Sequence, residues 1–146
     1  MVIDDHLLRD VLAGQRTMDL DGLAPEGVST TGLWLFRLCS SFADPTVAGK
    51  LSAPVSGLPA ELRADFRAQL TALPAAITVL PMREIAWLMA ELQVRHRAAG
   101  RGLSAAMVEA LASAHRLEVG IAVSANDVGR NLRSAAEADG IAFVVV

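Results

Sequence analysis

The sequence has one cysteine, one lysine and no long uninterrupted apolar run. Its single cysteine, Cys39, excludes a disulfide within the chain and fits a reducing compartment. Apolar residues make up 53% of the 146 positions, yet charged residues break every run before the roughly 20 apolar residues that a membrane span needs. The first residues lack the basic flank and cleavage pattern of a signal peptide. We therefore expect a soluble, cytoplasmic protein with no membrane partner, folded as a single domain over residues 1–146.

Excess positive charge is also missing, because the net charge is −3. This balance argues against a protein that coats nucleic acid. One basic cluster stands out in QVRHRAAGR, residues 93–101, which contains Arg95, Arg97 and Arg101. These arginines either complement the negative end of a helix or bind the phosphates of RNA.

Five short apolar segments alternate with helical patterns along the chain. They are VIDD (2–5), GVST (27–30), AITVLP (76–81), VGIAVS (119–124) and IAFVVV (141–146). This order predicts an α/β three-layer sandwich, with a central parallel sheet of about five strands and helices on both faces. Residues 43–57 hold two prolines and two glycines and predict a loop.

Polar residues follow the first and fourth predicted strands, at positions where parallel sheets bind ligands. Asp4, Asp5 and His6 follow the first strand, and Asn126 with Asp127 follows the fourth. Asp4 and Asp127 are therefore expected to lie near each other. Asn126 and Asp127 also open a predicted helix, so capping accounts for at least one of them.

Each acidic residue after the first strand has two explanations. Asp5 is most simply the N-cap of the first helix, and ligation is its alternative role. Asp4 ends a buried strand, where a carboxylate needs a metal ion, a water network or an arginine as partner. Arg37 and Arg130 are candidate partners that would replace the metal with an ion pair. His6 is a candidate ligand or base.

Three segments of the chain resemble the PIN domain, the small α/β nuclease fold of many bacterial toxin–antitoxin ribonucleases. They are VIDDHLLRDVL (2–12), ITVLPMREIAWLMAELQVRHRAAGRGLSAA (77–106) and LASAHRLEVGIAVSANDVGRNLRSAAEADGIAFVVV (111–146). The resemblance implies that carboxylates hold Mg²⁺ or Mn²⁺, which activates water and neutralises charge on the scissile phosphate.

The resemblance can be carried over to particular residues at two of the family's acidic positions. Asp4 matches the acid after the first strand, and Asn126 with Asp127 matches the position after the fourth. It therefore implies Asp4 and Asp127 as metal ligands. Asp4, Asp127, Asn126 and His6 are the implied catalytic residues.

The other two acidic positions of the family carry no acid here. A glutamate is expected at about Trp34 or Leu35, but no acid lies between residues 27 and 43. Met107 stands where an aspartate is expected, and Glu109, about 200° further around a helix, should point elsewhere. We therefore predict a PIN-like, nucleic-acid-associated protein with reduced or absent Mg²⁺-dependent ribonuclease activity. The alternative is an active, divergent endoribonuclease that uses Asp4 and Asp127.

The partners implied by the resemblance are RNA, a small antitoxin protein and a second copy of the chain. The helix GLWLFRLCSSF is apolar on almost every side, so it is either core or an interface. We expect a homodimer in which Trp34 and Phe36 contribute to the contact.

Overall fold

The computed structural model describes residues 1–43 and 49–146. Its centre is a parallel sheet in the order β3-β2-β1-β4-β5. The strands are Val2–Ile3 (β1), Val28–Thr30 (β2), Ile77–Val79 (β3), Ile121–Val123 (β4) and Phe143–Val145 (β5). Each strand lies within one of the five apolar segments, so the predicted parallel sheet is confirmed.

Helices cover both faces of the sheet. They are Asp5–Leu12 (α1), Gly32–Ala43 (α2), Ala53–Ser56 (α3), Ala60–Thr71 (α4), Met82–Ala98 (α5), Ala105–Leu117 (α6) and Arg130–Ala138 (α7). Successive residues of β1 point to opposite faces, so each enters a different core. Val2 packs in a cluster with Leu111 of α6, whereas Ile3 packs in a second cluster with Leu8 of α1 and Phe66 of α4. The three-layer arrangement follows from these two cores.

The chain reverses its direction of winding between β1 and β4, which are neighbours in the sheet. A crevice opens beyond the carboxyl ends of strands at such a point. The residues after β1 and β4 meet there: the Asp4 N–H donates to Ala122 O at 3.3 Å, and the Ser124 N–H donates to Asp4 Oδ2 at 2.8 Å. We call this region the β1–β4 edge.

Two local predictions need correction. The predicted loop 43–57 contains α3 at Ala53–Ser56, and residues 44–48 of that loop lie outside the described residues. The last helix begins at Arg130, because Ala125–Asp127 forms a separate 3-10 turn closed by the Ser124 side chain. Asn126 and Asp127 therefore do not cap α7.

The apolar helix α2 contributes to the core through one tryptophan. Trp34 is 4% exposed and packs in the core, so it does not form an open interface, whereas Phe36 is 68% exposed. The Thr31 side chain caps this helix by accepting from the Trp34 N–H at 3.0 Å. Among the described residues, no helix is long and apolar enough to cross a membrane.

Candidate functional site

Asp4 is the N-cap of α1 and is 2% exposed. Its Oδ1 accepts from the Leu7 N–H at 2.8 Å, and its Oδ2 accepts from the Ser124 N–H at 2.8 Å. The prediction that Asp5 caps this helix is wrong, because Asp4 has the extended backbone of a cap and Asp5 is already helical. Asp4 therefore ties the start of α1 to the end of β4.

Burial raises the pKa of the Asp4 carboxyl to about 7, against the opposing effect of its two backbone hydrogen bonds. The negative charges of Asp5 and Asp127 raise this pKa further. Arg37, one of the two arginines proposed to pair with Asp4, binds other carboxylates instead. In the described part of the chain, the partners of Asp4 are backbone N–H groups.

Arg37 joins Asp5 to Asp127 across the β1–β4 edge. Its Nε and Nη2 bind the two oxygens of Asp5, with Nη2 at 2.7 Å from Oδ1. The same Nη2 lies 2.6 Å from Oδ2 of Asp127. The Asp5 side chain is fully buried, while those of Arg37 and Asp127 are 45% and 46% exposed. One arginine nitrogen thus bridges a buried carboxylate and a solvent-facing one.

His6 completes a group of three potential metal ligands. One ligand atom from each of Asp5, His6 and Asp127 lies within 4.8 Å of the others. The guanidinium of Arg9 lies 3.3 Å from His6 Nδ1, and because arginine cannot accept a hydrogen bond, this nitrogen is the acceptor. Burial lowers the pKa of His6, so the ring is neutral at pH 7 and carries its proton on Nε2.

The three side chains of this metal-ligand group suit a divalent cation in type and spacing. Two carboxylates and one imidazole are ligands that Mn²⁺ accepts, whereas Mg²⁺ favours oxygen. However, arginines already hold all three groups: Arg37 binds Asp5 and Asp127, and Arg9 contacts His6. The cluster can therefore hold a cation, but its ligands are not free in this arrangement.

The position expected to carry a third acid is apolar, and the nearby glutamate has another role. Met107 lies beside Gly129 at the start of α7. A Cβ added to Gly129 would lie 2.8 Å from Cε of Met107. Glu109 is 1% exposed and points to α2, where its carboxylate accepts from the N–H groups of Gly32 at 2.9 Å and Leu33 at 2.8 Å. Glu109 therefore caps the start of α2.

Two of the three predicted RNA-binding arginines take part in a network around Asp139. Oδ2 of Asp139 lies 2.6 Å from Arg95 Nη2, 3.1 Å from His96 Nε2 and 2.8 Å from His115 Nε2. Arg101 donates from Nε to His96 Nδ1 at 2.9 Å. This network ties the C-terminal ends of three helices, where positive side chains complement the helix dipoles.

The third predicted RNA-binding arginine, Arg97, is exposed on the last turn of α5. Because α7 runs from the β1–β4 edge towards the start of β5, Asp139 lies at the opposite edge of the sheet from Asp127. The structure therefore brings Asp4 and Asp127 to one edge and places Arg95 and Arg101 at the other.

Asp5, expected mainly as a helix cap, belongs to the site, and Arg37, a candidate partner of Asp4, binds Asp5 and Asp127 instead. The available signals were two adjacent aspartates after a buried strand and a lone arginine in an acid-free helix. Neither signal shows which carboxylate faces that arginine, since this depends on how α1 and α2 pack together.

Comparison with solved structures finds a likeness that spans the chain. One chain of the structure of FitAB bound to IR36 DNA fragment matches 99% of this chain and 94% of its own length, with a TM-score of 0.60 and 17% identity. FitAB is a toxin–antitoxin system, and FitB is a PIN-domain protein. At this identity the likeness shows a shared fold, so the PIN-like α/β fold is confirmed. No protein-family model and no curated protein sequence matches the chain.

Proposed function

We propose that this chain is a PIN-like, nucleic-acid-associated protein related to toxin–antitoxin ribonucleases, with reduced or absent Mg²⁺-dependent cleavage. The observation that carries the proposal is the Arg37 bridge: the fold gathers carboxylates at the β1–β4 edge, but one arginine binds two of them and offsets part of their charge. The likeness to a FitAB chain supports the relationship to a toxin–antitoxin system. We also propose that residues 1–146 form one domain.

A Mg²⁺ or Mn²⁺ ion is the proposed cofactor, held weakly. Asp5, His6 and Asp127 offer the ligands, with the Asp4 carboxylate close enough for its charge to couple to Asp5 and Asp127. When bound, such an ion supplies water activation and neutralises phosphate charge. Wild-type affinity should be weak, because the ion competes with Arg37 and lacks two of the family's acids. Calorimetry should show no micromolar binding of Mg²⁺, and such binding would oppose the proposal.

RNA is the proposed nucleic-acid partner, with Arg95, Arg97 and Arg101 as contacts. Arg97 is exposed, and the side chain of Arg95 is 56% exposed despite its ion pair. Because this basic edge lies opposite the acidic one, RNA bound there is not delivered to Asp127. Binding without efficient cleavage is the expected behaviour.

A fluorescence anisotropy titration with labelled single-stranded RNA tests this binding. Binding should persist in EDTA, and Arg97→Gln should weaken it and lower the salt dependence. Arg67→Gln removes the same charge from an exposed position on α4 and is the matched control. If RNA fails to bind at low salt, or if both variants weaken binding equally, the proposed RNA surface is wrong.

A protein partner is proposed as well, either a small antitoxin or a second copy of the chain. Large apolar side chains remain open to solvent on two helices: Phe36 on α2 is 68% exposed, and Trp87 on α5 is 78% exposed. Apolar surface of this kind favours contact with another protein.

The alternative function is an active endoribonuclease that uses Asp4 and Asp127, assisted by Asn126 and His6. A specific observation favours it: the pKa of Asp4 is raised to about 7, so its carboxyl can exchange a proton near neutral pH. Asp127 is also accessible, with a side chain that is 46% exposed. A metal-dependent cleavage assay separates the two functions.

A further inference from the structure

We infer that Arg37 is a built-in competitor for the cation: its guanidinium occupies the bridging position between Asp5 and Asp127, so a divalent ion binds only when Arg37 withdraws. The inference deepens the proposed function and rests on the proposed cation-binding role of the β1–β4 edge.

The position of one nitrogen supports this competition. Nη2 of Arg37 lies 2.7 Å from Oδ1 of Asp5 and 2.6 Å from Oδ2 of Asp127. Divalent cations bind carboxylate oxygens at about 2.0 to 2.6 Å, depending on the ion. A cation bridging the same two oxygens would overlap this nitrogen. Arg37 and the ion therefore exclude each other at these ligands.

The positive charge of Arg37 also stabilises the β1–β4 edge when no ion is bound. Asp5 is fully buried, and a buried carboxylate without a partner is costly. The two-pronged contact from Nε and Nη2 satisfies both of its oxygens. Because the structure supplies this positive charge from its own chain, folding does not require an ion at Asp5.

Arg37 is also able to leave. Its side chain is 45% exposed, and its second carboxylate partner, Asp127, is 46% exposed. Among the described residues, the hydrogen bonds of this guanidinium go to these two aspartates through Nε and Nη2. A cation that takes over Asp5 and Asp127 would release the arginine to solvent, where water satisfies its donors.

The test compares Mn²⁺ binding to the wild type with binding to two arginine variants by calorimetry. Arg37→Gln removes the competing charge, so affinity should increase about tenfold or more. Arg130→Gln is the matched control, because it removes the same charge from an exposed arginine that lies three residues from Asp127 in the sequence. The Mn²⁺ affinity of Arg130→Gln should stay within about twofold of the wild type, because solvent and salt screen an exposed charge. Adding Asp127→Asn to Arg37→Gln should abolish the gain.

Two results would overturn the inference: a folded Arg37→Gln variant with wild-type Mn²⁺ affinity, or an equal gain in Arg130→Gln. If Arg37→Gln does not fold, the wild type decides the matter by NMR. The arginine Nε–H signal of Arg37 should be protected without metal and lose protection as Mg²⁺ saturates the site. Saturation that leaves this signal unchanged would refute the competition.

The inference and the proposed function can fail separately. A gain in Mn²⁺ affinity without any RNA binding would support the Arg37 competition and reject the nucleic-acid role. RNA binding with no change in metal affinity would do the reverse.

Discussion

Replacing Glu109 with glutamine tests whether this buried acid supports the fold or substitutes for a missing metal ligand. Its two oxygens accept from the N–H groups of Gly32 and Leu33 at 2.9 and 2.8 Å. Hydrogen bonds to a charged group contribute about 1.5 to 3 kcal/mol each. Glutamine keeps one acceptor oxygen but turns an amide NH₂ towards the other N–H. We therefore expect Glu109→Gln to lower the free energy of unfolding by about 2 to 3 kcal/mol.

Urea denaturation followed by circular dichroism measures this loss. Glu137→Gln, on an exposed position of α7, is the control and should change the unfolding free energy by less than about 0.5 kcal/mol. Mn²⁺ affinity should be unchanged in Glu109→Gln, because its carboxylate is occupied at the start of α2. A variant that keeps full stability but loses metal affinity would show that Glu109 is a ligand and that the capping role is wrong.

Three further predictions concern the charged network and the apolar helix. Asp4 binds a proton more tightly in the folded state, so its contribution to the free energy of unfolding should fall by about 4 kcal/mol as pH rises from its ordinary pKa of 3.8 to about 7. Asp4→Asn should flatten that slope in urea titrations, and an unchanged slope would assign it to another group. Burial alone would raise the pKa of Asp139, but bonds from His115 and His96 lower it, so the network stabilises the fold above that carboxyl's ordinary pKa. Asp139→Asn should therefore be destabilised most at neutral pH and approach the wild type on acidification; a constant difference at all pH values would contradict this. Trp34→Ser should cost about 3 to 5 kcal/mol, whereas Phe36→Ser should cost less than about 0.5 kcal/mol. Light scattering should show a monomer for Phe36→Ser if α2 forms the homodimer, and an unchanged dimer mass would exclude this contact.

The strands could be predicted because buried parallel strands are continuous apolar runs. IAFVVV and VGIAVS each contain a strand, and the turn glycines Gly100 and Gly140 end their helices with positive φ angles of 75° and 71°. These features depend on residues that are close in sequence, so local patterns determine them.

The details of the site depend on contacts that are distant in sequence. Asp4 and Asp5 differ by one position, and either residue type can cap a helix. Which of them faces Arg37 depends on the packing of α1 against α2, through a bond between residues 32 positions apart. The contact from Asp127 to Arg37 spans 90 positions. Local patterns do not contain this information, so the sequence offers Arg37 only as a candidate partner of Asp4, whereas it binds Asp5 and Asp127.

A cleavage assay with radiolabelled RNA tests the central claim most directly. Wild type and Asp127→Asn are incubated with the same RNA in Mg²⁺, in Mn²⁺ and in EDTA, at protein concentrations that saturate RNA binding. Arg37 binds both Asp5 and Asp127, and two expected acids are missing, so the wild type should cleave no faster in Mg²⁺ than Asp127→Asn while still binding the RNA. Rapid Mg²⁺-dependent cleavage by the wild type that Asp127→Asn abolishes would contradict this account and establish an active nuclease.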